Sequence, residues 1–246
     1  MKDTLDIFTF IFRLVVQYIL YFIYYISLVW FGINGWWLRY LGRNLLYISN
    51  FNRVIVDGFE KFETMKNSDS KFLIVSNHIS LYDGFVHIAA LGDIGFVADR
   101  DGMILLCGMY DINIKLNSVF VDKGKTTQQI IEHVAKRKSR DNPLVLFADA
   151  MEPVPKGKNI APFRTGAFAG KFDILPVIIK YKNYKIDPTY KWYEGENFMI
   201  SFYKMLLDGH CDVHVKILDP VSCGNLSVEQ YKDKVYNIMD KAYIEI

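Results

Sequence analysis

Hydrophobic positions form one long stretch near the amino terminus, whereas the positions that follow alternate between short apolar runs and amphipathic segments. No charged residue occurs in the 25 positions from Leu14 to Leu38. At about 1.5 Å per helical residue, this stretch is long enough to cross a hydrocarbon core of roughly 30 Å. It is longer and more aromatic than the apolar region of a signal peptide, so we expect it to be retained as a membrane segment.

The turn-forming sequence Gly32-Ile33-Asn34-Gly35 interrupts this segment. Beyond it, tryptophan, tyrosine and leucine side chains recur around Arg39 and Arg43, which are four residues apart and share one helix face. Such a helix is typical of the headgroup region of a bilayer. Two arrangements are open: a helix that spans the bilayer, or a helical hairpin that dips into one leaflet. A buried core helix is a third, less favoured interpretation, because core helices seldom run this far without a charge.

If the segment spans, the basic residues after it outnumber those before it, which places the rest of the chain on the cytoplasmic side. We therefore expect a protein of a cell membrane or an endoplasmic-reticulum-like membrane, with its globular part facing the cytoplasm. Three cysteines without a C-x-x-C pair agree with a reducing compartment.

From about residue 50, short β-rich runs alternate with helical stretches. The predicted strands are Arg53–Val56, Phe72–Val75, Gly95–Ala98, Ser118–Val121, Leu144–Phe147, Ile174–Ile179 and Val213–Ile217. Helical spacing is clearest at Thr126–Lys138 and Ser227–Tyr243. The alternation predicts an α/β fold with a mixed, mostly parallel sheet flanked by helices. Because no Pro- or Gly-rich linker is present, we expect residues 1–48 to be a membrane-anchoring helical segment and residues 49–246 one domain.

Charge and motif content make two kinds of partner improbable. The net charge is +2, which is too balanced for a protein that mainly neutralises a nucleic-acid backbone, so no nucleic-acid partner is expected. Residues 210–214 contain two histidines, a cysteine and an aspartate. Their polar and apolar positions alternate as in a half-buried strand, so no metal site is expected there.

The sharpest polar motif is Ser76-Asn77-His78-Ile79-Ser80-Leu81-Tyr82-Asp83, which directly follows the apolar run Phe72–Val75. A histidine just past a strand end lies at the edge of a sheet where ligands bind. Asp83, five residues later, is spaced to fold back and orient the imidazole as a general base. Ser80 and Asp83 also fit a capping box, in which Asp83 only satisfies backbone donors at a helix start. The spacing leaves both interpretations open.

The Asn77–Asp83 motif resembles the N-H-x4-D block of the glycerolipid acyltransferases, the family of lysophosphatidic-acid and lysophospholipid acyltransferases. Three further segments resemble that family's other blocks and follow in the same order: residues 117–125, residues 144–150 with 162–168, and residues 174–181. The resemblance covers roughly residues 50–220, and the shared order makes chance a poor explanation.

This resemblance implies a membrane-bound O-acyltransferase that moves a fatty acyl chain from acyl-CoA to the free hydroxyl of a lysophospholipid, with lysophosphatidate as the first candidate. Membrane lipids, acyl-CoA and the lysophospholipid are then its partners, and acyl-CoA is a co-substrate, with no cofactor required. His78 is implied as general base and Asp83 as the residue that orients it. The residues implied to bind substrate are Asn77, Lys123, Asp149, Glu152 and Arg164, of which Lys123 and Arg164 are the candidates for holding phosphate.

The third block departs from the family pattern. Where the family has E-G-T, this chain has Asp149-Ala150-Met151, and about two extra residues precede Phe163. Asp149 is one candidate for the family's acidic role, and Glu152 is the second. This departure leaves open a lipid-binding member of the family with impaired catalysis. A membrane-attached hydrolase that uses His78 and Asp83 on a lipid ester is a further alternative.

Overall fold

The computed structural model describes residues 2–99, 109–122, 126–138 and 141–246. Within these ranges, seven strands form one sheet in the order β1-β7-β6-β2-β5-β3-β4. The strands are β1 Phe51–Asp57, β2 Phe72–Ser76, β3 Gly95–Asp99, β4 Val119–Val121, β5 Leu144–Phe147, β6 Asp173–Lys182 and β7 Cys211–Ile217. Each predicted strand overlaps one of them.

Helices precede, connect and follow the strands. They are α1 Lys2–Tyr25, a π-helix Ile26–Trp30, α2 Trp36–Ile48, α3 Phe59–Lys66, α4 Asp83–Leu91, α5 Met109–Lys115, α6 Thr126–Lys136, α7 Phe198–Asp208 and α8 Val228–Ile244, with 3-10 turns at Thr165–Phe168 and Trp192–Glu194. Both helices that were clearest from the spacing are confirmed, and α8 begins with a capping box between Ser227 and Gln230.

The centre of the sheet is parallel. β2 pairs in parallel with β5 and with β6, so that Val75 is opposite Leu146 on one side and Pro176 on the other. β3 pairs in parallel with β4 and β5. All five residues of β2 are buried, as expected for a strand covered on both faces. The α/β fold with a mostly parallel sheet is thereby confirmed, and the residue that follows β2 lies at the carboxyl edge of the sheet.

Contacts between residues divide the chain into two compact units. One comprises residues 1–55, 79–92 and 180–215, and the other comprises residues 56–78, 93–179 and 216–246. The predicted domain boundary after residue 48 stays a prediction.

In the second of these units, α8 packs on the sheet through Tyr231, which is fully buried. The Tyr231 hydroxyl donates to the carbonyl oxygens of Phe172 and Val221. A buried tyrosine hydroxyl needs such partners, because leaving it unpaired costs about 1–3 kcal/mol.

In the first unit, α2 packs closely against α4 at a glycine. A Cβ atom at Gly42 would lie 3.0 Å from the backbone nitrogen of Ala89, so a side chain at this position would push the two helices apart. The Arg43 Nε atom donates to the Ala89 carbonyl oxygen at 3.3 Å. These contacts fix α4, whose first residue is Asp83.

The uncharged amino-terminal stretch is interrupted at the predicted place. The helix from Asp6 to Trp30 has a mean hydropathy of 1.8 and is long and apolar enough to cross a membrane. It ends in a turn at which Gly32 and Gly35 have φ angles of 61° and 68°, a backbone conformation that glycine adopts without steric cost. The chain then continues into α2.

Candidate active site

Asn77, the first residue after β2, is fully buried and binds the backbone of β6. Its side-chain nitrogen donates to the carbonyl oxygen of Ile179 at 2.9 Å, and its side-chain oxygen accepts from the Ile179 amide at 2.8 Å. The Asn77 amide thus pairs with β6 as a further strand residue would. This fixes the backbone immediately before His78, while the predicted contact of Asn77 with substrate stays a prediction.

The His78 side chain is half-buried and stacks on an aromatic ring. Its imidazole lies 4.1 Å from the Phe147 ring, centroid to centroid, with an angle of 21° between the planes. Phe147 in turn stacks on Phe96, with centroids 6.4 Å apart. Phe147 and Phe96 belong to the neighbouring strands β5 and β3, and His78 is the second residue after β2, which is adjacent to β5. Phe147 was not among the predicted site residues, although its place at the end of a predicted parallel strand was a usable signal.

The backbone of His78 is held by a buried carboxylate. Both oxygens of Asp149 lie within hydrogen-bond distance of the His78 amide nitrogen, at 3.0 and 2.9 Å, and Asp149 is fully buried. The predicted contact of Asp149 with substrate stays a prediction; the contact that the structure describes is with the main chain of His78.

Asp149 begins a turn in an unusual conformation. The Glu152 amide donates to the Asp149 carbonyl oxygen at 3.0 Å, and the two residues between them, Ala150 and Met151, have φ angles of 50° and 58°. Positive φ at both central residues characterises a type I′ turn, which favours glycine or asparagine. For other residues the left-handed region costs about 1–2 kcal/mol each. Neither Ala150 nor Met151 is glycine or asparagine, so this turn has a cost in stability.

Asp83 is the first residue of α4 and is also fully buried. Its Oδ2 atom accepts from the backbone amides of Ile79 and Ser80, at 2.6 and 2.8 Å, and its Oδ1 atom accepts from the Tyr181 hydroxyl at 2.5 Å. Asp83 therefore satisfies backbone donors ahead of the helix, which is one half of the predicted capping box. The other half is not formed, because the Asp83 amide donates to the Ser80 carbonyl oxygen and the N-cap of α4 is Tyr82, without a side-chain hydrogen bond. Its action on the His78 imidazole stays a prediction.

Tyr181 was also absent from the predicted site. Burial raises the pKa of its hydroxyl well above the ordinary value, and the neighbouring Asp83 carboxylate raises it further. The tyrosine therefore stays protonated and donates a hydrogen bond at any working pH. Its position at the end of the last motif-like segment, residues 174–181, was the signal available in the sequence.

Arg164 and Glu152, both predicted to bind substrate, bind each other. The Arg164 Nη2 atom lies 2.8 Å from the Glu152 Oε1 atom, and the two side chains are 65% and 38% exposed. The predicted phosphate-binding residue Lys123 lies outside the described residues. A phosphate group approaching Arg164 therefore meets an arginine that already has a carboxylate partner.

A cavity of about 430 Å³ lies within the unit that contains α4 and α7. Its apolar lining includes Leu81, Tyr82 and Met205. Its charged lining comprises the two lysines Lys191 and Lys204 and the three carboxylates Asp187, Glu194 and Glu196. In the part of the chain that the structure describes, no three His, Cys, Asp or Glu side chains are grouped to hold a metal ion.

Comparisons with known proteins found a matching family model and a similar solved structure. A family model described as Acyltransferase matches residues 53–180, a range that includes Asn77 to Asp83, Asp149 and Arg164. The structure is similar to that of the 1-acyl-sn-glycerophosphate (LPA) acyltransferase PlsC from Thermotoga maritima, with a TM-score of 0.60 and 20% sequence identity over 96% of this chain and 97% of that chain. No curated protein matches the sequence. At 20% identity the structural likeness shows a common fold; the family match covers more than half of the chain. The chain belongs to the acyltransferase family.

Proposed function

We propose that this protein is a membrane-bound enzyme that transfers a fatty acyl chain from acyl-CoA to the free hydroxyl of a lysophospholipid, with lysophosphatidate as the first substrate. The observation that carries the proposal is the placement of His78, which is held through its own backbone and through Asn77 at the carboxyl end of β2. The family match supports the reaction type. The enzyme of the similar solved structure is named for 1-acyl-sn-glycerophosphate, which supports the choice of acceptor.

The proposed reaction needs one base and no covalent intermediate with the enzyme. The His78 imidazole removes the proton of the acceptor hydroxyl while that oxygen attacks the thioester carbonyl carbon. The new carbon–oxygen bond forms, the carbon–sulfur bond breaks, and the proton passes to the departing CoA thiolate. General-base catalysis of this kind contributes about 10²–10⁴ in rate.

Asp83 is proposed to orient the His78 imidazole. Three donors fix its carboxylate, namely the amides of Ile79 and Ser80 and the Tyr181 hydroxyl. A carboxylate with so little freedom is suited to hold one tautomer of a neighbouring histidine. Its contacts with the preceding turn are compatible with this role, because a carboxylate has about four lone-pair sites.

The acceptor phosphate is proposed to bind Arg164, together with Lys123. An exposed ion pair such as that between Arg164 and Glu152 contributes only about 0–1 kcal/mol. A phosphate offers the same guanidinium a bidentate, charge-assisted contact, which is stronger. We therefore propose that the phosphate displaces Glu152 when the acceptor binds.

The membrane contact is proposed to involve one side of α1. Large apolar side chains with 51–69% exposure recur along α1 at helical spacing and form one stripe. They are Ile7, Phe8, Ile11, Phe12, Val15, Tyr18, Ile19 and Phe22. An exposed apolar stripe of this length on a helix is typical of insertion into a bilayer surface.

Two polar side chains of α1, those of Arg13 and Gln17, bind the rest of their own unit. Arg13 donates to the carbonyl oxygens of Leu206 and Leu207 at the end of α7. Gln17 donates to the Ser49 hydroxyl at 3.1 Å, which joins α1 to the residue that follows α2. From the attachment at Gln17 to the turn after Trp30, the helix comprises residues 17–30. This part of the helix is about 20 Å long, whereas crossing the hydrocarbon core takes roughly 30 Å. We therefore propose the hairpin in one leaflet rather than the span.

The reaction is tested by acyl-CoA assays with and without lysophosphatidate. We expect CoA release that depends on the acceptor, a loss of about 10²–10⁴ in kcat for His78→Ala, and a loss of about tenfold or more for Asp83→Asn. The control His210→Ala removes an exposed histidine that contacts Asn52 and should leave activity unchanged. Release without acceptor supports the hydrolase, and no release supports the lipid-binding protein. If Asp83→Asn lowers stability but not the rate per folded molecule, Asp83 is only a cap.

Acceptor binding is tested by Glu152→Gln. Because this change frees Arg164 for phosphate, we expect the KM for lysophosphatidate to fall a few-fold at saturating acyl-CoA, with kcat unchanged. Arg164→Gln, the matched variant that removes the cation, should raise that KM by about tenfold, the equivalent of about 1.4 kcal/mol. A rise in KM for Glu152→Gln contradicts the proposed displacement and supports a direct contact between Glu152 and the acceptor.

Membrane topology is tested with one epitope tag at each terminus in sealed vesicles that carry the domain on their outer face. For the hairpin, added protease should remove both tags, and washing with high salt or at high pH should leave the protein on the membrane, because apolar insertion is not screened by salt. Protection of the amino-terminal tag while the carboxyl-terminal tag is removed indicates a spanning helix and refutes the hairpin.

A further inference from the structure

We propose that Asp149 is a positioning residue for His78 and not a ligand of the acceptor. The proposal rests on the proposed function, in which His78 is the general base. In this role the Asp149 carboxylate fixes the position of the His78 backbone relative to the end of β2. It thereby fixes the position of the imidazole.

The structure describes hydrogen bonds of the Asp149 carboxylate to the main chain. Both oxygens accept from the His78 amide at 3.0 and 2.9 Å, and Oδ1 also lies 3.4 Å from the Met151 amide nitrogen. The whole residue has no exposed surface. A carboxylate that is buried and bound in this way is aimed at the histidine backbone rather than at an entering substrate.

The backbone that carries Asp149 is itself fixed on both sides. The Ala148 amide donates to the Ser76 carbonyl oxygen at 3.3 Å, and the Arg164 amide donates to the Ala148 carbonyl oxygen at 2.8 Å. On the other side, Asp149 closes the turn by accepting from the Glu152 amide at 3.0 Å. The first of these bonds joins the ends of β2 and β5, and the other two fix the backbone on either side of Asp149. The distance from the Asp149 main chain to the His78 amide is therefore set by the backbone.

The Asp149 side chain fits this distance, and a longer one does not. Glutamate adds one carbon–carbon bond of about 1.5 Å. The turn at Ala150 and Met151 already has positive φ at both positions, which leaves the backbone little room to retreat. The shorter side chain of Asp149 and the left-handed turn therefore fit each other. We infer that together they compensate for the departure from the family's E-G-T pattern. A misplacement of the reacting group by about 1 Å costs around a hundredfold in rate.

The test measures kcat and the KM for lysophosphatidate in Asp149→Ala, Asp149→Asn and Asp149→Glu at saturating acyl-CoA, per folded molecule. We expect kcat to fall by about a hundredfold for alanine. Asparagine keeps one acceptor oxygen at the same length, so it should restore part of the loss, to within about tenfold of the wild type. Glutamate should also lose tenfold or more, and the KM should stay within twofold throughout. The control Asp93→Ala removes another buried carboxylate, one that pairs with Lys66 at 2.9 Å, and should lower stability without changing kcat.

Two results overturn the proposal while the proposed function stands. One is a rise in the KM for the acceptor that accounts for the loss in kcat/KM. This result indicates that Asp149 is a ligand of the acceptor. The other is an unchanged kcat per folded molecule in the asparagine and glutamate variants, which indicates a merely structural role and can be read even if the alanine variant fails to fold. A wild-type protein without acceptor-dependent CoA release instead refutes the proposed function, and the two failures are thus distinguished.

Discussion

Two buried carboxylates hold the main chain of the segment that follows β2. Asp149 accepts from the amide of His78, and Asp83 accepts from those of Ile79 and Ser80. Burying a carboxylate costs free energy unless hydrogen-bond donors surround it. Backbone amides supply such donors, and the carboxylate in turn replaces the water that would otherwise accept from them. From Asn77 to Ile79 the segment belongs to neither a strand nor a helix. The Tyr190 amide donates to the Ile79 carbonyl oxygen at 2.9 Å, and the amides of the segment are held by the two acidic side chains.

This constraint explains why the acidic residues of the site hold the backbone in addition to their proposed part in catalysis. The general-base catalysis that we propose requires an imidazole placed to within about an ångström, and a free loop does not supply that. The stacking of His78 on Phe147 restricts the movement of the imidazole ring. The hydrogen bonds of Asn77 and Asp149 restrict the backbone at His78. The positive φ at Ala150 strains the backbone, and this strain is part of the free energy spent on ordering the segment. Such strain is common where a backbone is held for function. In contrast, the Arg164–Glu152 pair is exposed and easily exchanged, which suits a contact that a substrate replaces.

Much of the architecture was predictable because local patterns determine it. Apolar runs such as Leu144–Phe147 and the helical spacing of Thr126–Lys136 mark elements that burial stabilises, and the glycines near residue 32 mark the break after α1. The site was predicted at His78 and Asp83 from spacing and family resemblance. The contact between His78 and Asp149 was not, because it joins residues 71 positions apart and depends on the register of β2 against β5. For the same reason Phe147 and Tyr181 were missed, and Glu152 and Arg164 were predicted separately although they bind each other.

Hydrogen exchange of the backbone amides tests the central claim most directly, because it reports on the segment after β2 without reference to substrate. If the carboxylates of Asp149 and Asp83 hold this segment, the amides of His78, Ile79 and Ser80 exchange slowly, as the amides of β2 do, although the three residues lie outside strands and helices. The exposed loop at Lys156 and Gly157 provides the fast reference in the same protein. Exchange of the three amides at the rate of that loop contradicts the account.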